Sequence, residues 1–260
     1  MQNPIGIFDS GVGGTSIWKE LHALMPNEST IYLADSKNAP YGEKSEEEIL
    51  QLSIKNTELL LEKECKLIIV ACNTATTNAI NYLRANYKVP FIGIEPAIKP
   101  AALQTKTKKV GVLATKGTLS SDLFYNTSKL YASGIEVYEQ EGSGLVELIE
   151  SGLHNSKEIK HLLHKFLNPM LNKGIDCLVL GCTHYPYLIP ALNEVLPNHI
   201  KIIDSGLAVA QQTKAVLEKS KLLNLDLNLH PNHTFYSNTN PEVLRQFISL
   251  DSATIYYLDF

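Results

Sequence analysis

The sequence predicts an α/β fold with largely parallel strands and crossover helices, and three observations carry that reading. Apolar strand-like runs alternate with amphipathic helical ones along the chain, the pattern expected when each parallel strand returns through a helix. Two of those runs, "IIVACNTATTN" (Ile68 to Asn78) and "LVLGCTHYPYL" (Leu178 to Leu188), close on a cysteine followed by polar residues able to open a helix. The length of 260 residues lies between one domain and two. Within it, "EPAIKPAALQTKTKK" (Glu95 to Lys109), with two prolines and a basic cluster, reads as a crossing between two halves.

The elements follow in order. "IGIFDS" and "TIYLAD" are the first strands, and Ser45 with Glu48 forms a capping box that starts a helix running to about Glu64. "KLIIVAC", "VPFIGIE", "KKVGVLAT" and "IEVYEQ" come next, then "DCLVLGC", "IKIIDS", "HTFYSN" and "TIYYLD". Gly134 and Gly174 read as helix stops before the strands that follow them.

Charge and cysteine usage exclude several classes. A net charge of −4, from 23 basic and 27 acidic residues spread along the chain, leaves no basic block for a phosphate backbone or an anionic membrane. No apolar run reaches the length of a membrane span, and "MQNPIGIFDS" lacks the basic and apolar regions of a secretory signal, so the chain reads as cytoplasmic. The four cysteines are then expected to be reduced. Cys65 and Cys72 bracket one strand at about 23 Å, and Cys177 and Cys182 another at about 16 Å, so neither pair has the spacing of a metal site. Cys65 and Cys177 read as small buried hydrophobes.

Cys72 and Cys182 sit instead at carboxyl ends of strands, where open α/β sheets bind ligands. Asn73 and Thr74 are placed to cap a helix after Cys72, and Thr183 with Pro186 to open one after Cys182. A thiol beside a helix N-terminus is expected to ionise below the usual value of about 8.5 and to act as a base. One such cysteine is most often filler, but two in parallel contexts point to a shared task. "FDSGVGGTS" adds Asp9, Ser10 and three glycines, which form either an anion-binding nest or a helix cap; its spacing is not that of a dinucleotide fingerprint. "ADSKNAPYGEKS" is a loop in which Tyr41 and Gly42 offer backbone and hydroxyl groups, or an ordinary turn. "LVELIESG" sets Glu147 and Glu150 three residues apart on a short helix, a spacing usual for a solvated face.

Taken together, "IGIFDSGVGGTS", "ADSKNAPYGEKS", "ACNTATT", "ATKGTLSS" and "LGCTHYPYL" resemble, in order and over nearly the full chain, the cofactor-independent aspartate/glutamate racemase family, and within it the glutamate branch. One departure is visible. The family usually carries a Cys-Pro element before its carboxylate helix, where this chain has "QEGSGLVELIE".

The resemblance implies two similar α/β domains with the active site in the cleft between them, residues 1–97 with 207–260 forming one and 98–206 the other. It implies Cys72 as the base facing D-glutamate and Cys182 as the base facing L-glutamate, supported by Asp9 and His184 respectively. Glu150 is implied as the auxiliary carboxylate, with Glu147 the alternative. Ser10, Tyr41, Gly42, Asn73, Thr74, Thr118 and Thr183, with Asp9 and His184, are implied as substrate contacts. It further implies no cofactor or metal, a bacterial host in which D-glutamate supplies peptidoglycan, and a homodimer; with almost nothing between Met1 and the first strand, the N-terminal extension tied in some family members to activation by a peptidoglycan precursor is expected to be missing. Three rival readings stand beside it. An aspartate or hydantoin racemase would keep both cysteines. A thiol hydrolase would use Cys182 and His184 but leave the Cys72 segment unexplained. A non-catalytic binding protein would explain a cleft but not paired thiols.

Overall fold

The computed structural model of the chain describes residues 3–132, 134–226 and 230–260, so Met1 and Gln2 of the opening stretch lie outside it. Among the described residues ten strands form: β1 (Ile5–Asp9), β2 (Thr30–Ala34), β3 (Leu67–Val70), β4 (Phe91–Gly93), β5 (Lys109–Ala114), β6 (Glu136–Glu141), β7 (Cys177–Gly181), β8 (Lys201–Ile203), β9 (His233–Ser237) and β10 (Ala253–Tyr257). Each overlaps a run expected to be a strand; β6 continues one residue past its run to Glu141, and β10 starts one residue before its run at Ala253. The helices are α1 (Thr15–Leu24), α2 (Glu46–Glu62), α3 (Asn73–Asn86), α4 (Ile98–Gln104), α5 (Lys116–Leu119), α6 (Asp122–Tyr131), α7 (Leu145–Glu150), α8 (Lys157–Asn172), α9 (Ile189–Val195), α10 (Gly206–Lys219) and α11 (Pro241–Arg245).

The strands make two sheets, ordered β10-β9-β2-β1-β3-β4 and β6-β5-β7-β8, and every pairing is parallel. Parallel neighbours need crossovers, which is why helices separate successive strands. The central strands β1, β3 and β7 are buried at every residue, which explains their unbroken apolar runs. Both sheets share one order: β2-β1-β3-β4 in the first matches β6-β5-β7-β8 in the second. The unit is repeated, and β3 and β7 hold equivalent places in it.

Local chemistry sets the helix ends. Ser45 Oγ accepts the Glu48 N–H, while the Ser45 N–H donates to Glu48 Oε2, completing the expected capping box of α2. That helix stops at Glu62, and Glu64 turns to φ +57. Gly134 and Gly174 both take φ +80, the left-handed stop expected of them. After Cys182 the expectation of an immediate α-helix fails. Residues Tyr185–Leu188 form a 3-10 turn and α9 begins only at Ile189, because Pro186 and Pro190 lack the N–H groups that regular helix needs. One hydrophobic cluster runs from Ile5, Ile7 and Val12 of the first unit through Leu145, Cys182 and Leu188 of the second, so the two sheets share packing at their facing ends.

Candidate active site

In each repeat the chain reverses direction across the sheet between its first and third strands, and such switch points are where open sheets bind ligands. The first switch point carries Asp9 at the end of β1, Ser10 just beyond it and Cys72 after β3; the second carries Thr115 after β5 and Cys182 after β7. The two open toward each other. Ser10, Tyr41, Gly42, Cys72, Asn73, Thr74, Cys182, Thr183 and His184 line a single narrow cleft, together with Pro40, Thr115 and Val146. An adjoining depression shares Pro40, Gly42, Thr115 and Val146 with it and adds Lys116, Glu43, Glu141 and Glu147 at its mouth.

On the first side, Cys72 itself caps α3, its Sγ accepting the Ala75 N–H at 3.4 Å and lying 3.6 Å from Ser10 Oγ. Asn73 is therefore the first helical residue rather than the cap. Its buried amide finds no protein partner among the described residues and faces the cleft. The expected lowering of the Cys72 thiol is not found. Burial and the neighbouring Asp9 carboxylate push it up to about 12, against the smaller opposing pull of the Ala75 N–H and Ser10 hydroxyl. A one-turn share of helix dipole does not offset full desolvation.

Asp9 is fully buried, accepting the Gly11 N–H at 3.0 Å and the Thr183 hydroxyl at 3.0 Å from across the cleft. Burial is the main cause that lifts it from 3.8 to about 6; Glu150 adds to this and His184 opposes it. Below pH 4 Asp9 is neutral folded or unfolded, between about 4 and 6 only the unfolded chain ionises, and above that the folded state carries a constant penalty on the order of 3 kcal/mol. Asp9→Asn is accordingly expected to gain stability over the parent as pH rises from 4 to 7. Urea unfolding at several pH values checks it; a difference independent of pH would mean that Asp9 ionises as readily folded as unfolded.

On the second side, His184 Nδ1 lies 3.7 Å from Cys182 Sγ and His184 Nε2 lies 2.5 Å from Glu150 Oε1. Burial opposes charge on His184, but its bonds to Cys182 and Glu150 prevail and hold it well above the ordinary histidine value. Glu150 thus meets His184, whereas Glu147 is exposed at the mouth. The glycine-rich loop now has a physical explanation. Glu150 is the anion over it, with Val12 N–H donating to Oε1 at 2.7 Å. A methyl group on Gly11 would lie 1.9 Å from Glu150 Oε1, and one on Gly13 would lie 2.2 Å from His184 Nδ1. Both glycines let the second unit's pair approach the first unit's backbone.

Comparison with known proteins decides the family. The pattern of the Asp/Glu/Hydantoin racemase family matches residues 14–213. The chain belongs to that family. Membership makes it an isomerase. Among its relatives, a glutamate racemase from Herpetosiphon aurantiacus is 48% identical over 221 residues, 85% of this chain and 87% of that protein. The crystal structure of Escherichia coli glutamate racemase, in complex with L-glutamate and the activator UDP-MurNAc-ala, shares 32% identity at a TM-score of 0.86, with 98% of each chain covered. That of the Francisella tularensis enzyme with D-glutamate shares 30% at 0.85, covering 99% of this chain and 97% of that one.

In this racemase two residues stand differently from expectation. The Tyr41 hydroxyl donates to Asp35 Oδ2 at 2.5 Å and accepts from Asn56, so it braces the loop and only the rest of Tyr41 and Gly42 meets the cleft. Thr118 is fully buried behind the wall, within hydrogen-bond reach of Thr74 and Thr115, and Thr115 takes the exposed place. Thr115 stands in "ATKGTLSS" three positions before Thr118, at the strand end equivalent to Asp9–Ser10, and that equivalence was the available signal. Ser36, whose hydroxyl reaches Glu150, and Tyr187, paired with Thr15 across the units, carried no such signal because only tertiary contact gives them a role.

Proposed function

We propose that this protein is a glutamate racemase that interconverts L- and D-glutamate by proton transfer between Cys72 and Cys182, without a cofactor. The observation that carries the reading is the pair of thiols at equivalent strand ends of a repeated unit, lining one cleft, each beside its own ionisable partner. Inversion at an α-carbon needs a proton taken from one face and another supplied to the opposite face. A hydrolase would leave one of these thiols without work. Support for glutamate over shorter or cyclic substrates comes from the relatives' names and from the glutamate-bound neighbours.

In this reading Cys182 takes the α-proton of L-glutamate, with His184 and Glu150 supporting it, and the Cys72 thiol gives its proton to the other face. The enzyme is left with Cys182 protonated and Cys72 ionised, and exchange with solvent resets it. The high Cys72 value suits a group that must hold a proton until the carbanion forms. Asp9 supports Cys72 when the direction reverses. Asn73, with its unsatisfied amide, and Ser10, Thr74, Thr115, Thr183 and the Tyr41–Gly42 backbone bind the substrate's ammonium and carboxylates. The catalytic domains are residues 1–97 with 207–260, and 98–206. We further assign the protein to the cytoplasm as a homodimer supplying D-glutamate for peptidoglycan, with no nucleic-acid partner; among the described residues no helix is long and apolar enough to cross a membrane.

The test is the purified protein with L-glutamate in heavy water and no added cofactor, followed by polarimetry and by proton NMR of the separated enantiomers. D-glutamate is expected to carry α-deuterium from its first appearance while the remaining L-glutamate stays protonated. Unchanged optical rotation would sink the racemase reading. Deuterium entering recovered L-glutamate as fast as D-glutamate forms would sink the two-thiol mechanism alone.

A further inference from the structure

The Glu150 carboxylate is held from three directions. Its Oε1 accepts the Val12 N–H at 2.7 Å and meets His184 Nε2 at 2.5 Å, while its Oε2 accepts the Ser36 hydroxyl at 2.8 Å. Val12 and Ser36 belong to the unit of Cys72; Glu150 and His184 belong to the unit of Cys182. Ser36 therefore acts across the cleft, on the base of the opposite side.

The Ser36 hydroxyl is fixed before any substrate arrives. It follows Asp35, which is 2% exposed and whose carboxylate accepts from Asn38 at 2.7 Å, Tyr41 at 2.5 Å and Asn238 at 2.5 Å. The Asp35 N–H donates to the Asp9 carbonyl, and the Lys37 N–H to Asn238 Oδ1. The backbone on both sides of Ser36 is thus tied to the first sheet. A terminal carboxylate torsion is soft and roughly two-fold, so a carboxylate anchored through one oxygen can turn away from its partner. Anchoring Oε2 removes that freedom.

We infer that Ser36 is a positioning residue for the proton transfer at Cys182: by holding Glu150 it keeps His184 oriented over that thiol. The inference rests on the racemase reading and adds to it a residue from the unit of Cys72 that governs chemistry on the face served by Cys182. Ser36 touches no reacting atom. A hydroxyl that merely latched the two units together would affect both faces of the substrate alike.

Primary isotope effects on kcat/KM separate the two roles, because α-deuterium on L-glutamate slows only removal by Cys182 and α-deuterium on D-glutamate only removal by Cys72. In the full-length Ser36→Ala protein, kcat/KM is expected to fall about tenfold, the loss of one hydrogen bond to a charged group. The isotope effect with deuterated L-glutamate should rise and that with deuterated D-glutamate should fall. Ser36→Thr, which keeps the hydroxyl, should restore both toward the parent. Parent-like rates in Ser36→Ala, or a loss that leaves the two isotope effects in their parental ratio, would overturn the inference while leaving the racemase reading intact. Absence of racemisation by the parent protein would instead remove the reading on which it rests.

Discussion

Cys72→Ala and Cys182→Ala are each expected to lower racemisation by about a thousandfold, within the range for loss of a positioned acid–base group. In the proposed mechanism each removes one of two bases, and the other cannot reach the opposite face. The structural cost is small, about 1 kcal/mol for one buried methylene-sized group, so circular dichroism and the unfolding midpoint should stay close to the parent. Cys65→Ala and Cys177→Ala supply the control. Those thiols are equally buried and pushed up to about 12 and about 11 by burial, yet they lie away from the cleft. Their variants are expected to keep turnover near that of the parent, because neither thiol lines the cleft. Near-parental turnover in either cleft variant would refute the pairing.

Gly13→Ala should damage activity severely. It would lie 2.2 Å from His184 Nδ1 and 2.6 Å from two ring carbons, and the ring is 1% exposed and held by both Glu150 and Cys182. The ring has nowhere to retreat. A shift of about 1 Å in a reacting constellation costs on the order of a hundredfold in rate, and overpacking costs about 1–3 kcal/mol in stability. Gly174→Ala offers the opposite case. Its φ of +80 penalises a side chain by about 1–2 kcal/mol, but nothing lies within 4 Å, so stability should fall with activity unchanged. Steady-state kinetics and urea unfolding of both variants check the contrast; an active Gly13→Ala enzyme would show that His184 has no fixed place.

The central strands β1, β3 and β7 were legible because parallel strands buried on both faces read as near-continuous apolar runs, and no tertiary knowledge is needed to see that. The two cysteines were legible for a related reason: the strand ends of a repeated unit carry repeated chemistry. Their ionisation was not. The sequence shows Cys72 next to a helix start but not the depth of its burial or the Asp9 carboxylate beside it, and those two decide the direction. The purpose of "SGVGG" was equally hidden, since its occupant is Glu150, 138 residues from Val12 along the chain. Glu147 and Glu150 look alike in sequence, and only the turn of α7 sends one to His184 and the other to solvent. Tyr41 misled because its loop lies at the cleft while its hydroxyl points away to Asp35.

The repeated strand order has a thermodynamic corollary for the proposed reaction. The two units share a strand order and are both built of L-residues, so neither can be the mirror image of the other. The enantiomers consequently meet chemically different walls, Asp9 behind one thiol and the His184–Glu150 pair behind the other. Their bound complexes have no reason to be equal in free energy, although the free enantiomers in solution are. Equality in solution obliges kcat/KM to be the same in both directions, so whichever enantiomer is held more tightly must turn over more slowly by the same factor. The handedness of the protein is thereby stored as matched differences in kcat and KM, and it never appears in the position of equilibrium.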